Sequence, residues 1–280
     1  MDFYTTILGS GAAVPTPSRS CAAQVVNIRG FRMLLDCGEG TQVNIRQYHQ
    51  KMQSVSLVCV SHLHGDHFFG LPGLLSSMHL HGRKDPIVIV GPQGIRQALQ
   101  MMNQVSQSHI DFPVSYLELP DDMPIDAPPV MVFCNSRCRV SAFPICHSVP
   151  TFGYMVDQLP RVSRYSWSQS DVSYEQLPYV KRYVYCSDTC LFDMLPQRIQ
   201  QADLLCIEST FCDDFESVAA QKQHLTARQA ARVAHSAGVR KLLLTHFSLR
   251  YKDKMDQLLL QAQSEFPDVQ LAQDGERYYC

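Results

Sequence analysis

The sequence predicts an α/β fold with mixed β-sheets, and three observations support that prediction. Apolar runs of strand length alternate with helical segments, and short antiparallel hairpins lie between them. Several of these runs end at a residue that can bind a divalent metal, as expected where an α/β scaffold builds a site at one end of a sheet. No internal repeat, low-complexity tract or linker interrupts the 280 residues, so a single domain over residues 1–280 is expected.

Composition and charge are those of an ordinary globular protein. Hydrophobic residues make up 45% of the chain, which is enough for a sizeable core. The formal net charge is −2, so a polyanionic partner would have to meet a local basic patch. The sequence contains no signal peptide and no apolar run of roughly 18 residues. Its eleven scattered cysteines do not suggest a disulfide framework. We therefore expect a cytoplasmic protein with no membrane partner.

The first predicted elements are a strand over residues 3–8 and a glycine-rich turn over residues 9–15. A phosphate-binding loop needs a lysine and a helix directly after such a turn. Pro15 and Pro17 stand there instead, so a nucleotide site is rejected. A hairpin around Gly30 and a short helix are predicted next, over residues 24–29, 31–36 and 41–50.

The densest group of potential metal ligands is the stretch 61–67, directly after the apolar run 55–60. It places three imidazoles and a carboxylate within six residues at the end of a buried strand: His62, His64, Asp66 and His67. These ligand types suit zinc and its first-row neighbours, and on a tight turn they can be shared between two ions. The alternative is a solvated loop rich in histidine, but such a loop has no need of this spacing beside a buried strand.

The middle of the chain continues the alternation and ends at a further histidine. Helices are predicted over residues 71–80 and 95–105, and strands over 87–90, 114–119, 130–134 and 139–145. His147 follows the last strand at a junction with a turn predicted over residues 148–154, which include Pro150 and Gly153. Cys134 and Cys138 form a close pair in a hairpin, but without a second pair they indicate a zinc knuckle only weakly.

Residues 155–182 are the least regular stretch of the sequence. Basic residues alternate there with aromatic ones: Arg161, Arg164, Tyr165, Trp167, Tyr174, Tyr179, Lys181 and Arg182. Such a mixture can contact phosphates and stack on bases. A solvated crossover or a dimer contact explains the same composition equally well.

Three later strands deliver polar residues at their ends. The run 184–186 leads to Asp188, the run 204–208 ends at Glu208, and the run 241–244 leads to His246. His224 precedes a predicted helix with Thr226 as its N-cap. A helix over residues 254–264 and a strand over 269–272 close the chain.

Four apolar strands thus end in a potential metal ligand, at the metal loop (residues 61–67), His147, Asp188 and His246. An isolated buried histidine is usually a satisfied core residue. Four coincidences of that kind are a poor explanation, so the sequence predicts one composite metal site.

With this order of motifs the sequence resembles the metallo-β-lactamase superfamily. Within the superfamily it is most similar to the ribonuclease Z family of tRNA 3′-processing endonucleases. The similar segments are spread over nearly the whole chain: residues 7–16, 35–42, 61–75, 224–227 and 246–251.

The resemblance implies a four-layer αβ/βα sandwich with a dinuclear zinc site between two mixed sheets. One ion would be held by His62, His64 and His147, the other by Asp66, His67 and His246, and Asp188 would bridge them. Imidazole and carboxylate ligands also accept Mn²⁺. By the same resemblance, Asp66 would act as general base, and His224 with Glu208 would protonate the leaving 3′-oxygen. A surface His224 and a helix-capping Glu208 are the alternatives. A homodimer is also implied.

One segment departs from the family pattern. The family carries a long Gly/Pro-rich basic arm between the positions of His147 and Asp188. Here only residues 148–187, 40 in all, separate them, and no glycine lies between Gly153 and Asp188. Ser187 replaces the usual glycine before the aspartate. We therefore expect a short variable insertion over residues 155–182 in place of the arm.

The expected function is that of a metal-dependent phosphodiester hydrolase, an endonuclease acting at the 3′ end of precursor tRNA. Missing phosphate contacts weaken nucleic-acid binding by orders of magnitude at physiological salt, so the short segment leaves a second enzymatic interpretation open. In that interpretation the same site hydrolyses a small phosphodiester, an ester or a lactone. A non-catalytic binding protein is the third alternative, and the complete ligand set argues against it.

Overall fold

The computed structural model describes residues 2–161 and 173–280, and within them fourteen strands form two seven-stranded sheets. The first sheet has the order β14-β1-β2-β3-β4-β5-β6. Its strands are β1 (Phe3–Gly9), β2 (Ala23–Ile28), β3 (Phe31–Cys37), β4 (Val55–Cys59), β5 (Ile87–Pro92), β6 (Val114–Leu119) and β14 (Arg277–Tyr279). The second has the order β13-β12-β11-β10-β9-β8-β7. Its strands are β7 (Val130–Cys134), β8 (Cys138–Ile145), β9 (Thr151–Gln158), β10 (Lys181–Cys186), β11 (Leu204–Glu208), β12 (Leu242–Thr245) and β13 (Val269–Leu271).

Both sheets are mixed, as predicted. In the first sheet β14, β1, β2 and β3 pair antiparallel, whereas β3, β4, β5 and β6 pair in parallel. In the second sheet β7 to β10 pair antiparallel and β10 to β13 in parallel. Because parallel neighbours end at the same edge, the residues that follow β3 and β4, and those that follow β10, β11 and β12, are brought together.

The helices form the two outer layers, with one exception. They are α1 (Thr41–Gln47), α2 (Gly65–Phe68), α3 (Gly70–Leu80), α4 (Ile95–Ser106), α5 (Leu195–Ile199), α6 (Glu216–Gln221), α7 (Ala227–Ser236) and α8 (Met255–Gln263). The exception is α2, which carries Asp66 and His67 to the site between the sheets. Buried apolar residues of α1, α3 and α4 cover the outer face of the first sheet. A second cluster fills the space between the sheets and continues through the second sheet to α5, α7 and α8. The four-layer αβ/βα sandwich is therefore confirmed.

Helix α7 begins as its sequence predicts. Thr226 is the N-cap, and its Oγ1 accepts a hydrogen bond from the Gln229 backbone N–H at 3.2 Å. The Gln229 side chain in turn accepts from the Thr226 N–H at 2.9 Å, which completes a capping box. This cap fixes the start of the helix directly after His224.

The chain bends at residues 147–149, as predicted, but the prediction that the turn and irregular chain continue beyond Pro150 is wrong, because residues 151–158 form strand β9. This strand is buried along almost its whole length and pairs with β8 and β10. Pro150 and Gly153 are strong turn formers, which explains the error. Gly153 is needed here for close packing, since a Cβ on it would lie 2.5 Å from the Phe143 ring.

The predicted insertion over residues 155–182 overlaps strands β9 and β10, and the connection between them is residues 159–180. Arg164, Tyr165 and Trp167 lie outside the described residues. Arg182 donates from Nε to Asp157 Oδ1 at 2.7 Å and lies 4.0 Å from the Tyr179 ring centroid. This arginine is thus engaged within the fold.

A membrane-spanning helix is absent from the part of the chain described, where every helix is too short or too polar to cross a bilayer.

Gly70 and Gly38 lie directly against each other where the chain after the metal loop meets the end of β3. Replacing Gly70 should therefore destabilise the fold. A Cβ on Gly70, at the start of α3, would lie only 1.9 Å from the Gly38 carbonyl oxygen. We expect Gly70→Ala to lower the free energy of unfolding by about 3 kcal/mol, since neither backbone segment can yield without moving the loop. Gly73→Ala is the control, because its Cβ would meet only the movable Gln42 side chain, at 2.6 Å. Urea denaturation of both variants checks this, and equal effects would contradict it.

Candidate metal centre

Loops after strands of both sheets bring all the predicted site residues together between the sheets. Three overlapping groups of side chains have ligand atoms that all lie within 4.8 Å of one another. The first is His62, His64, His147 and Asp188, the second is Asp66, His67 and His246, and the third is Asp188, His224 and His246. The first two contain the two expected ligand sets. His224 lies next to them, since its ring centroid is 5.2 Å from that of His147 and 5.5 Å from that of His246.

Asp188 lies between two pairs of histidines and turns one carboxylate oxygen toward each pair. Its Oδ2 is 3.8 Å from Nε2 of both His62 and His147. Its Oδ1 is 3.4 Å from His67 Nε2 and 3.2 Å from His246 Nε2. A carboxylate in this position can supply an oxygen to each of two cations.

On the first sheet's side, hydrogen bonds set the tautomers of His62 and His67. Ser61 Oγ donates to Asp36 Oδ2 at 2.9 Å and therefore accepts from His62 Nδ1, 3.0 Å away. His67 Nδ1 donates to the same Asp36 oxygen at 2.8 Å. Both rings thus direct Nε2 toward the centre, where the neutral form of each ring can bind a metal.

Similar hydrogen bonds orient the histidines on the second sheet's side. His147 Nδ1 donates to the Gln223 carbonyl at 3.1 Å. Thr210 Oγ1 donates to Glu208 Oε2 at 2.6 Å and accepts from His246 Nδ1 at 3.0 Å. Each ring again leaves Nε2 free for a cation.

The arrangement fits divalent cations by its own chemistry. His62 Nε2 lies 3.0 Å from His64 Nδ1, and His67 Nε2 lies 3.2 Å from His246 Nε2, so ring nitrogens of neighbouring histidines face each other across the centre. Burial holds the pKa of His62 well below its usual range. Burial also acts to lower the pKa of His67, but Asp188 and Asp36 outweigh it and hold that pKa well above its usual range. The buried carboxylates therefore favour a positive charge among the imidazoles, and metal ions would supply that charge.

Asp36 joins the two sheets beneath the centre. It is fully buried, with a φ of 55°, at the end of β3. Its Oδ1 accepts from the Ser61 N–H at 2.6 Å, and its Oδ2 also accepts from the Tyr185 hydroxyl, on β10, at 2.7 Å. One carboxylate thus connects the metal loop, the ring of His67 and the second sheet through hydrogen bonds.

Removing this carboxylate should destabilise the protein strongly. We expect Asp36→Ala to lower the free energy of unfolding by about 3–5 kcal/mol, because several buried donors lose their acceptor. Tyr185→Phe removes one donor and leaves the carboxylate satisfied, so a loss of about 1 kcal/mol is expected. Chemical denaturation of the two variants in parallel measures the difference. Losses of equal size would show that Asp36 does not organise the loop.

Glu208 and His224 form a second buried unit. Glu208 accepts from the Thr189 N–H at 2.8 Å and from the N–H of Thr210 at 3.2 Å. His224 Nδ1 donates to Glu208 Oε1 at 2.8 Å. Burial acts to lower the pKa of His224, but the Glu208 carboxylate outweighs burial and raises it to about 9. His224 therefore carries a proton at neutral pH and holds it beside the centre.

A cavity of about 500 Å³ opens over the centre. His64, Asp66, His147, Asp188, His224 and His246 line it. The glycine-rich turn forms part of its wall, and the Ala13 N–H donates to Asp66 Oδ2 at 2.7 Å. Lys222 and Arg250 lie at the rim, and the Arg250 guanidinium is 4.3 Å from the Phe215 ring centroid.

Comparison with known proteins agrees with this geometry. A family model described as the beta-lactamase superfamily domain matches residues 31–247. A ribonuclease Z of Ignicoccus hospitalis is 33% identical over 294 residues, which cover 96% of this chain and 95% of that one. The chain belongs to the ribonuclease Z family.

Further relatives show how much of the chain shares the features of the ribonuclease Z family. A ribonuclease Z of Methanosarcina acetivorans is 31% identical over 299 residues, covering 96% of this chain and 95% of that one. The crystal structure of human tRNase Z, short form, is similar with a TM-score of 0.80 and 29% identity, and 98% of each chain is covered. The resemblance seen in the motifs therefore extends over the whole fold.

Sequence reasoning found the candidate ligands of this ribonuclease Z family member but missed the residues that orient them. Asp36, Ser61, Tyr185 and Thr210 were given no role. Asp36 could have been found, because it too is a carboxylate at the end of a buried strand. The hydroxyl groups carry no such pattern, since serine, threonine and tyrosine are common at strand ends.

Proposed function

We propose that this ribonuclease Z family member is an endonuclease that cuts precursor tRNA at the 3′ end of the tRNA body. That the chain is a metal-dependent hydrolase follows from its family and from the cluster of histidines and aspartates. The observation that carries the proposal is the position of Asp188, whose two oxygens face two separate groups of imidazoles.

The proposed residents of the centre are two Zn²⁺ ions, with Mn²⁺ as the alternative. His62, His64 and His147 would hold one, Asp66, His67 and His246 the other, and Asp188 both. When bound, such ions polarise a phosphodiester and make water acidic enough to attack near neutral pH.

Asp66 is proposed to orient the attacking water and accept its proton. Burial acts to raise the pKa of Asp66, but the neighbouring imidazoles of His246 and His67 outweigh it and hold the pKa well below its usual range. The carboxylate is therefore ionised, and the Ala13 N–H holds its Oδ2 at the cavity wall.

His224 is proposed to protonate the leaving 3′-oxygen, with Glu208 as a positioning residue. The proton on Nδ1 is engaged by Glu208, so Nε2–H is the one available to a substrate. Because the pair keeps His224 protonated at neutral pH, an acid is ready when the bond breaks.

A single domain, a homodimer and a cytoplasmic location belong to the same proposal. The resemblance to the family supports the homodimer, and the sequence pattern supports the other two. Residues 159–180 would take the place of the family's arm. That short connection and the net charge of −2 favour one second candidate, the hydrolysis of a small phosphodiester or ester at the same centre.

Two substrates separate these candidates. Purified zinc-loaded protein is offered precursor tRNA with a 3′ trailer and, separately, bis(p-nitrophenyl) phosphate. The proposal predicts one cut at the end of the tRNA body that leaves a 3′-hydroxyl. Hydrolysis of the small diester with intact tRNA would favour the second candidate. Inactivity on both, with no bound metal, would favour a binding protein.

A further inference from the structure

Two thiols lie in contact beside the metal centre. Cys146 and Cys190 have their Sγ atoms 2.9 Å apart, whereas a disulfide bond is about 2.05 Å long. The backbone holds the pair in place, since the Cys190 N–H donates to the Cys146 carbonyl at 2.8 Å. The Cys146 N–H also donates to Thr189 Oγ1 at 3.2 Å.

The pair is more accessible than most of the other thiols. Cys146 and Cys190 are half-buried, as is Cys134, and the remaining eight cysteines are buried. A cavity of about 290 Å³, wide enough for a small oxidant, is lined in part by Cys146.

Each thiol is close in sequence to a proposed ligand of the same cation. Cys146 directly precedes His147, and Cys190 follows Asp188 by two residues. A disulfide would bring the two sulfurs about 0.9 Å closer together. The loops that carry His147 and Asp188 would move with the sulfurs. Metal–ligand distances tolerate deviations of only about 0.2 Å. Formation of the disulfide therefore competes with binding of the cation by its complete set of ligands.

We propose that Cys146 and Cys190 form a reversible disulfide that weakens cation binding between His147 and Asp188. The oxidant is a hydroperoxide, here hydrogen peroxide. The Cys146 sulfur attacks the O–O bond, which gives a sulfenic acid and one water. The Cys190 sulfur then attacks the Cys146 sulfur, the S–O bond breaks and a second water leaves. Two thiols and one peroxide thus yield one disulfide and two waters, and a dithiol reductant reverses the change.

The first measurement counts thiols and does not depend on the enzymatic reaction. Zinc-loaded protein is treated with a stoichiometric amount of hydrogen peroxide, and thiols are counted after denaturation. We expect the loss of two thiols, a mass lower by two hydrogens, and a linked peptide that joins Cys146 to Cys190. Absence of that linkage, or a linkage through other cysteines, would overturn the proposal.

The second measurement follows zinc. Competition with a chelator should show zinc held at least about tenfold more weakly after oxidation, and dithiothreitol should restore it. Cys190→Ser should retain its zinc under the same treatment, while the control Cys134→Ser should respond as the unmodified protein does. A disulfide that leaves zinc retention unchanged would refute the coupling to the centre, whatever the substrate of the enzyme is.

Discussion

Replacing Asp188 with alanine is expected to lower kcat by about 1000-fold or more and to reduce the bound metal below one equivalent per chain. The reason is its position, because one carboxylate faces both groups of imidazoles, at 3.2–3.8 Å from four Nε2 atoms. Without it the nitrogens of two ligand sets face each other with no central anion to hold two cations. Metal content by elemental analysis and kcat on bis(p-nitrophenyl) phosphate check this.

Two further variants make the Asp188 experiment specific. Asp188→Asn keeps the shape of the side chain but removes its charge, and we expect it to bind metal weakly. Asp193→Ala removes an exposed carboxylate shortly after Asp188, and it should keep metal and turnover. Circular dichroism confirms that each variant is folded. An Asp188→Ala protein that retains two equivalents of metal would contradict the bridging role.

Replacing His224 with alanine is expected to leave the metal in place but lower kcat on precursor tRNA by about 10²–10⁴-fold. The ring lines the cavity, and because Nδ1 donates to the Glu208 carboxylate at 2.8 Å, the proton on Nε2 is available to the substrate. A ribose 3′-oxygen is a poor leaving group and needs that proton. A nitrophenolate leaves without one, so the same variant should lose little rate on bis(p-nitrophenyl) phosphate.

The difference between the two substrates separates proton donation from simple damage to the site. Glu208→Gln should show the same pattern with a smaller loss, because Glu208 acts through His224. His235→Ala is the matched control, since that exposed imidazole donates to the Glu265 carbonyl, at 2.8 Å, and takes no part in the centre described above. Equal losses on both substrates would show that His224 does not act as an acid.

Much of the fold could be predicted from local pattern. The metal loop and the strands before His147, Asp188 and His246 are apolar runs with a polar end, and each forms as predicted. Strand β9 could not be predicted, because Gly153 was interpreted as a turn residue while its actual partner is the Phe143 ring. Close packing between strands depends on tertiary structure, which the local sequence does not contain.

The same limit applies to the candidate site. The ligand residues were predicted because imidazoles and carboxylates after strands are rare enough to be noticed. The Asp36 hydrogen bonds to Ser61 and Tyr185 were missed, because they join residues 25 and 149 positions apart. The contact of Cys146 with Cys190 is equally invisible in sequence, since neither residue belongs to a close pair there.

A zinc titration of metal-free protein tests the two-cation centre most directly. Metal is removed with a chelator, Zn²⁺ is added in steps, and bound zinc is measured beside cleavage of bis(p-nitrophenyl) phosphate. We predict saturation at two equivalents per chain, with activity rising mainly on the second. Full activity at one equivalent, with no further zinc bound, would contradict the centre described above.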